Sequence, residues 1–475
     1  MKRSIFSLLC VMLVASSCWK LDPEDPKAVR YYGNVFAFNV MNSYYLWVDE
    51  ISEKLENWKT TEDPVEKVAS SRYGDDRWTT LYEDYSAFEK ATTGNGKTFG
   101  LDFSVRWYDE AHTTVCVVVS FTYADSPARK AGLQRGDVIT RINGEVLTPD
   151  NYKGLAGKLY DGGSITLGLN DDRNIQMSAI QMYENPVNIA TTLNYGGKTI
   201  GYLHFSNFTM DAIKDLETAF AQFKAAGIQD LVLDLRYNTG GYVITSQALA
   251  SMIAPVSVVK NKEIFNRDVY NSNLKMEDKG IERFCPELTY TSTSGQQVSV
   301  QPLNVNPGIE HLWVLVTGDT ASASEALICG LFPYMDVTLV GEKTYGKYCG
   351  GFLYKATEWF DDVEKVDKDH SIDCETGRQA IPTWGIYVII SRYADCNGKT
   401  LSMPNGIDPT SGFEVKDAPM DGFALGDPSE TMLATALKGI TGSATVSSAG
   451  AVKSARMREA VPEQVRRPGF GVLLH

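Results

Sequence analysis

The chain has 475 residues, 43% hydrophobic and 22% charged, the balance of a globular protein with sizeable cores rather than a disordered or fibrous one. At roughly 100–200 residues per domain, that length implies two to four domains. A formal net charge of −14 weighs against the basic surface of a nucleic-acid binder, and no nucleic-acid partner is expected.

Met1, Lys2 and Arg3 make a short basic start, and the apolar run SIFSLLCVMLVAS that follows is too short to span a bilayer. This is the shape of a secretory signal over residues 1–17. Its end, Ala15-Ser16-Ser17-Cys18, resembles the lipobox of bacterial lipoproteins, although the position of Ala15 is more often Leu. The resemblance implies lipidation at Cys18, a polar tether over residues 18–27 and a membrane-anchored lipoprotein of the bacterial cell envelope, periplasmic or surface-exposed. The alternative is ordinary signal cleavage nearby, with Cys18 uninvolved. Six further cysteines (Cys116, Cys285, Cys329, Cys349, Cys374 and Cys396) show no CxxC spacing, so no metal or redox cofactor is expected.

Residues 28–92 are rich in aromatics. Phe36, Val40, Tyr44 and Trp47 fall at spacings of four and three, which predicts a helix with one buried face and a small helical N-terminal domain. Strand patterns begin near residue 95. In SPARKAGLQRGDVITRINGEVL, residues 126–147, Ser126 caps a short helix with Pro127 at its first position and Gly132 at its end, and Asn143-Gly144 is a hairpin turn. This run resembles the core of PDZ domains, which bind extended peptides by adding a strand to a sheet edge. The resemblance implies a PDZ domain over 93–190, with Phe99, Gly100 and Leu101 of FGLDF as its peptide-binding loop. An ordinary edge strand with a glycine bulge is the other reading of those three residues.

From 195 to 440, strands alternate with helices: KTIGYLHFSNF, then an amphipathic helix ended by Gly227, then the buried strands DLVLDLR and HLWVLVTGD. The alternation predicts an α/β domain with helices covering its sheet. Residues 355–380 are charged and read as an inserted surface loop. Residues 441–475 turn small and then basic, which reads as a flexible tail.

Residues 320–326, TASASEA, carry two readings. Ser322 and Glu325 fit a capping box that opens the helix EALICGLF. A helix start also offers free N–H groups and a positive dipole end, which is what a nucleophilic serine needs beside it. The N–H of Ala323 is one natural oxyanion donor, and Gly240 or Gly241 of LRYNTGG, after a buried strand, is another. None of the five histidines (His112, His204, His311, His370 and His475) falls in a recognisable motif. Lysine is the other base, provided burial keeps its amine neutral. Of Lys343 and Lys347 in EKTYGKYCGG, Lys347 is better placed to point inward.

Taken together, LVLDLRYNTGG, VTGDTASASEA, VGEKTYGK and NGIDP, in that order after the PDZ-like stretch, resemble the C-terminal processing peptidases, also called tail-specific proteases. That resemblance covers residues 95–425. It implies a crotonase-like α/β core and a serine endopeptidase of unfolded or C-terminal polypeptide segments, with Ser322 as nucleophile and Lys347, 25 residues on, as base. Ala323 with Gly240 or Gly241 would form the oxyanion hole. Many members carry a glutamine four residues after the lysine, thought to orient it; Gly351 stands there. Two alternatives remain at this point: a catalytically inactive peptide- or ligand-binding lipoprotein, and a Ser-His hydrolase using His204.

Overall fold

The computed structural model describes residues 21–474 apart from 56–57, 59–60, 275–279, 348, 368–370, 401–403, 443–458, 463 and 466–472. The signal sequence and Cys18 lie outside the described residues.

The PDZ-like segment forms one antiparallel sheet. Its main path runs Leu101–Trp107, Val115–Thr122, Val138–Ile142, Ser164–Leu169 and Asn174–Ser178. The helix at Pro127–Lys130 begins where the sequence predicts it, with Ser126 Oγ accepting from Arg129 N–H. Apolar residues on one face of this sheet close a separate core around Val105, Val117, Ile139 and Leu167, with Ala128 and Leu155 of the helices over them.

The catalytic-type core is built on a five-stranded sheet in the order Val187–Tyr195, Lys198–Phe205, Asp230–Asp234, His311–Val316 and Asp336–Gly341. The first pair is antiparallel; the other three pairings are parallel. Near-continuous apolar strands such as DLVLD, buried at every position, are the mark of a parallel sheet covered on both faces. Here the helices Ala212–Ala226, Val243–Ile253 and Ala323–Leu331 pack one face, and Thr431–Thr441 covers the other. The core sheet begins at Val187, just inside the span expected for the PDZ unit.

Three segments differ from the sequence reading. Residues 355–380 are not a surface loop: most of this span folds into the helices Ala356–Val366 and Cys374–Ala380, whose Trp359 and Phe360 are buried. Their charges line the solvent side of an amphipathic helix, a pattern mistaken for a polar loop. The N-terminal helices do not form a domain of their own either. Phe36, Val40 and Tyr44 share one core with Trp359, Ile386 and Val388, and the strand Thr80–Tyr82 pairs antiparallel with Gly385–Tyr387. Such a short, aromatic-rich unit lacks enough partners within itself, so it buries its rings against a further sheet, which contains the antiparallel strands Cys349–Lys355 and Gly385–Ala394. Finally, the described residues of the 441–475 segment are docked rather than free, at two places described below. All six cysteines are free thiols.

Candidate active site

Three neighbouring parallel strands end at one edge of the sheet, and each delivers one of the sequence motifs. Asp230–Asp234 leads into LRYNTGG, His311–Val316 into TGDTASASEA, and Asp336–Gly341 into EKTYGK. The carboxyl edge of a parallel sheet is where ligand sites form in open α/β folds.

Ser322 is fully buried and has φ 61° and ψ −113°, outside the regions open to ordinary L-residues. The residue is held there by hydrogen bonds on both sides. Ala321 N–H and Ser324 Oγ both donate to Asn238 O, and Ser322 O accepts from Ala326 N–H at 2.8 Å. The expected capping-box pairing of Ser322 with Glu325 is present: Ser322 N–H donates to Glu325 Oε2 at 3.0 Å, whereas the approach of Ser322 Oγ to the helix falls short of a hydrogen bond, and Oγ has no other partner among the described residues. The hydroxyl that a simple cap would commit to the helix is thus uncommitted. Ser324 is structural, its Oγ spent on the glycine loop.

Glu325 is the hub of the site. Its Oε1 accepts from Thr344 Oγ1 and Gly346 N–H, and its Oε2 accepts from Ser322 N–H and Lys347 N–H. The serine and lysine backbones therefore hang on one carboxylate oxygen. Burial raises the Glu325 pKa, and these donors pull it the other way. The approach is close enough to demand glycine: a Cβ on Gly346, at φ 92°, would lie 2.2 Å from Pro404 O.

Lys347 is completely buried, and desolvation brings its pKa down from 10.5 to about 8, against the opposing pull of Cys349, Asp76 and Glu325. Its Nζ lies 5.1 Å from the ring centres of both Trp78 and Tyr387 and donates to Tyr387 Oη at 3.2 Å. No side chain could replace Gly351 in this backbone, because a Cβ there would lie 2.3 Å from Val388 O. Tyr387, on the strand beside Gly351, takes the place that the sequence left open.

The two glycines of the loop are not equivalent. Gly240 N–H donates to Asn238 Oδ1 at 2.9 Å, so it is held within the loop. Gly241, at φ 141°, runs so close to Phe208 that a Cβ would lie 2.4 Å from its carbonyl oxygen. The loop is anchored below by a buried charge cluster: Arg236 pairs with Asp234, Glu430 and Asp417, and Arg135 of the PDZ-like unit reaches Asp417 and Tyr237.

His204 is buried among Phe121, Tyr237 and Asn188, with desolvation lowering its pKa to about 4. It belongs to the packing between the two units. Phe99 and Leu101 are buried in the PDZ-like core, and Gly100 N–H donates to Thr98 Oγ1. Glu325 was visible in the sequence only as a cap. Tyr387 and Trp78 had no signal beyond being aromatic: one lies on a strand 40 residues after the lysine, the other in the N-terminal segment.

Residues 199–411 match peptidase family S41, and residues 118–169 match the PDZ domain. A carboxyl-terminal-processing protease of Synechocystis is 26% identical over 319 residues, covering 65% of this chain and 66% of that protein. The chloroplastic C-terminal processing peptidase of Tetradesmus obliquus is 25% identical, covering 62% of this chain and 61% of that one. The chain thus spans somewhat less than two thirds of the length of these relatives. A solved structure from Bacteroides fragilis, of a protein assigned to the S41 proteases, superposes with a TM-score of 0.63 at 21% identity, over 86% of this chain and 97% of that one. It shares the fold.

Proposed function

For a chain that belongs to the C-terminal processing peptidases of family S41 and carries a PDZ domain, we propose a serine endopeptidase acting through Ser322 and Lys347 on unfolded or C-terminal polypeptide segments. The observation that carries this reading is the pairing of an uncommitted Ser322 hydroxyl with a wholly buried lysine, both tied to Glu325. In the proposed reaction, Ser322 Oγ attacks the scissile carbonyl carbon. The neutral Lys347 amine takes the hydroxyl proton and returns it to the leaving amine, and water then hydrolyses the acyl-enzyme by the reverse use of the same base. The carbonyl oxygen, negative in the tetrahedral intermediate, is met by the N–H of Ala323 and by the glycine loop, with Gly241 favoured because Gly240 is held by Asn238. The PDZ domain recruits the polypeptide by strand addition. The test is cleavage of an unstructured casein-like polypeptide by the full chain and by Ser322→Ala. Equal rates would sink the assignment. Nothing in the fold favours the inactive alternative.

Tyr387 replaces the orienting glutamine of the family pattern. By accepting an N–H of the Lys347 amine, it fixes the position of Nζ. Tyr387→Phe is expected to lower kcat about tenfold, the order of one lost hydrogen bond to a buried polar group, with KM nearly unchanged. A change in KM alone would assign Tyr387 to substrate contact instead. Gly351→Gln should not restore the family arrangement, because its Cβ would collide with Val388 O; thermal melts should show destabilisation without a gain in rate.

The N-terminal motif supports a signal peptide over 1–17 and lipid attachment at Cys18, hence anchoring in a bacterial envelope membrane. Expressed in bacteria, Cys18→Ser should leave the membrane fraction and lose the mass of the lipid; retention with unchanged mass would contradict lipidation at this residue.

A further inference from the structure

Described residues of the segment that reads as a flexible basic tail lie on the two surfaces by which a peptidase of this design would hold a polypeptide. On the PDZ domain, Ala460 bridges antiparallel to Arg106 at the open edge of the Leu101–Trp107 strand. Trp107 N–H donates to Glu459 O at 2.8 Å, and Val461 N–H donates to Val105 O at 3.3 Å. The Gln464 side chain then mimics a further strand residue: Val105 N–H donates to its Oε1 at 2.8 Å, and its Nε2 donates to Val105 O at 2.9 Å. Val461 is 3% exposed and part of the PDZ core cluster, an apolar anchor of the kind that gives strand addition its specificity.

The second surface is beside the catalytic residues. Leu473 and Leu474 form a short strand parallel to Gly241 and Tyr242, and Leu474 also pairs with Gly351. The backbone thus lies between the oxyanion loop and the strand that follows Lys347. A cavity between the two anchors is lined by Phe103 and Tyr160 of the PDZ domain, Tyr237 and Thr239 of the glycine loop, and Gln464 and Val465 of the tail itself.

We propose that residues Glu459–Val461 with Gln464, at the PDZ edge, and Leu473–Leu474, at the catalytic cleft, are built-in ligands held there in cis, so that an external polypeptide must displace them to be cut. This rests on the peptidase reading and deepens it. It also defines the substrate class: an extended chain that offers an apolar residue to the Val461 position and, twelve residues later, a stretch able to add as a strand beside Gly241. No bond is made or broken in this step; it is competition between identical modes of backbone pairing.

The test uses the full chain carrying Ser322→Ala, so that binding is read without turnover. The probe is a fluorescein-labelled synthetic peptide of residues 457–475. Adding Gln464→Ala, or separately Val461→Asp, should loosen the cis segment. Each is expected to raise the affinity for the labelled peptide at least tenfold by anisotropy, and to release the Val105 and Trp107 amides from slow hydrogen exchange. Gln464→Ala removes part-buried side-chain hydrogen bonds but no core side chain, which guards against a folding defect in Val461→Asp. Equal affinity with and without the substitutions, no binding to any variant, or unchanged exchange at Val105 and Trp107 would each overturn the proposal. If the Ser322→Ala chain itself cleaved the peptide, the peptidase assignment would fail while the binding comparison kept its meaning.

Discussion

Ser322→Ala, Lys347→Met and the double variant are expected to lose kcat/KM on an unstructured polypeptide to nearly the same extent, about 10³-fold or more. The losses should not add, because nucleophile and base act on one proton in one step; removing either leaves only binding and the oxyanion donors. Methionine is chosen because it fills the pocket between the Trp78 and Tyr387 rings without a group that needs a partner. The backbone N–H of residue 347 still donates to Glu325, so the loop should hold. General-base catalysis by itself contributes on the order of 10²–10⁴-fold. If Lys347→Met kept more than about a tenth of the wild-type rate, the proton would have another acceptor. The only buried imidazole weighed from the sequence, His204, would then be tested as His204→Ala. Its surroundings of Phe121, Tyr237 and Asn188 predict instead a loss of stability with the chemistry retained.

The parts of this site that were legible in the sequence are those that lie in local motifs. Strand, tight turn and helix start recur within a few residues of one another in LRYNTGG and TASASEA, and local chemistry fixes what each can do. What was not legible is where unlike segments meet. The capping-box reading of Ser322 and Glu325 found the right pair but not its wider role, because the sequence does not say that Glu325 will be shared with Thr344, Gly346 and Lys347. Gly351 leaves no orienting side chain on the strand after the lysine. The hydroxyl that replaces it comes from Tyr387, on the antiparallel neighbour, where alternation predicts only that the side chain is buried. The charged stretch at 355–380 was read by composition, and the helical spacing of Trp359, Phe360 and Val363 was outweighed by the acids between them. The tail was read by composition too. Its docking depends on backbone pairing with strand edges, to which side-chain patterns are nearly blind.

The largest condition-dependent effect should come from Lys347: rate and stability should both rise with pH, in adjoining windows. The base must be neutral to act, and burial lowers its pKa from 10.5 to about 8. Where chemistry limits the rate, kcat/KM should therefore rise about tenfold per pH unit below that value, roughly a hundredfold from pH 6 to its plateau above pH 9. A rate flat over that range would remove lysine as the base. For stability, the unfolded chain binds this proton up to the ordinary lysine pKa and the folded chain only up to about 8. Between the two, the unfolded state holds more protons, so stability should rise with pH across that window. Below it, the folded protein bears the whole cost of charging a buried amine, about 3 kcal/mol at roughly 1.4 kcal/mol per pH unit of displacement. Lys347→Met removes that cost, so at pH 7 the inactive variant should be the more stable one by about that amount, and its advantage should shrink as the pH approaches 10.5. Urea melts of both chains at pH 7 and pH 10 read this directly. Equal midpoints at pH 7 would mean that the ammonium is stabilised where it lies, by Glu325, Asp76 and the two ring faces. The acid limb of the rate profile would then have to move up toward the ordinary lysine range, and the two measurements must shift together because they report the same proton.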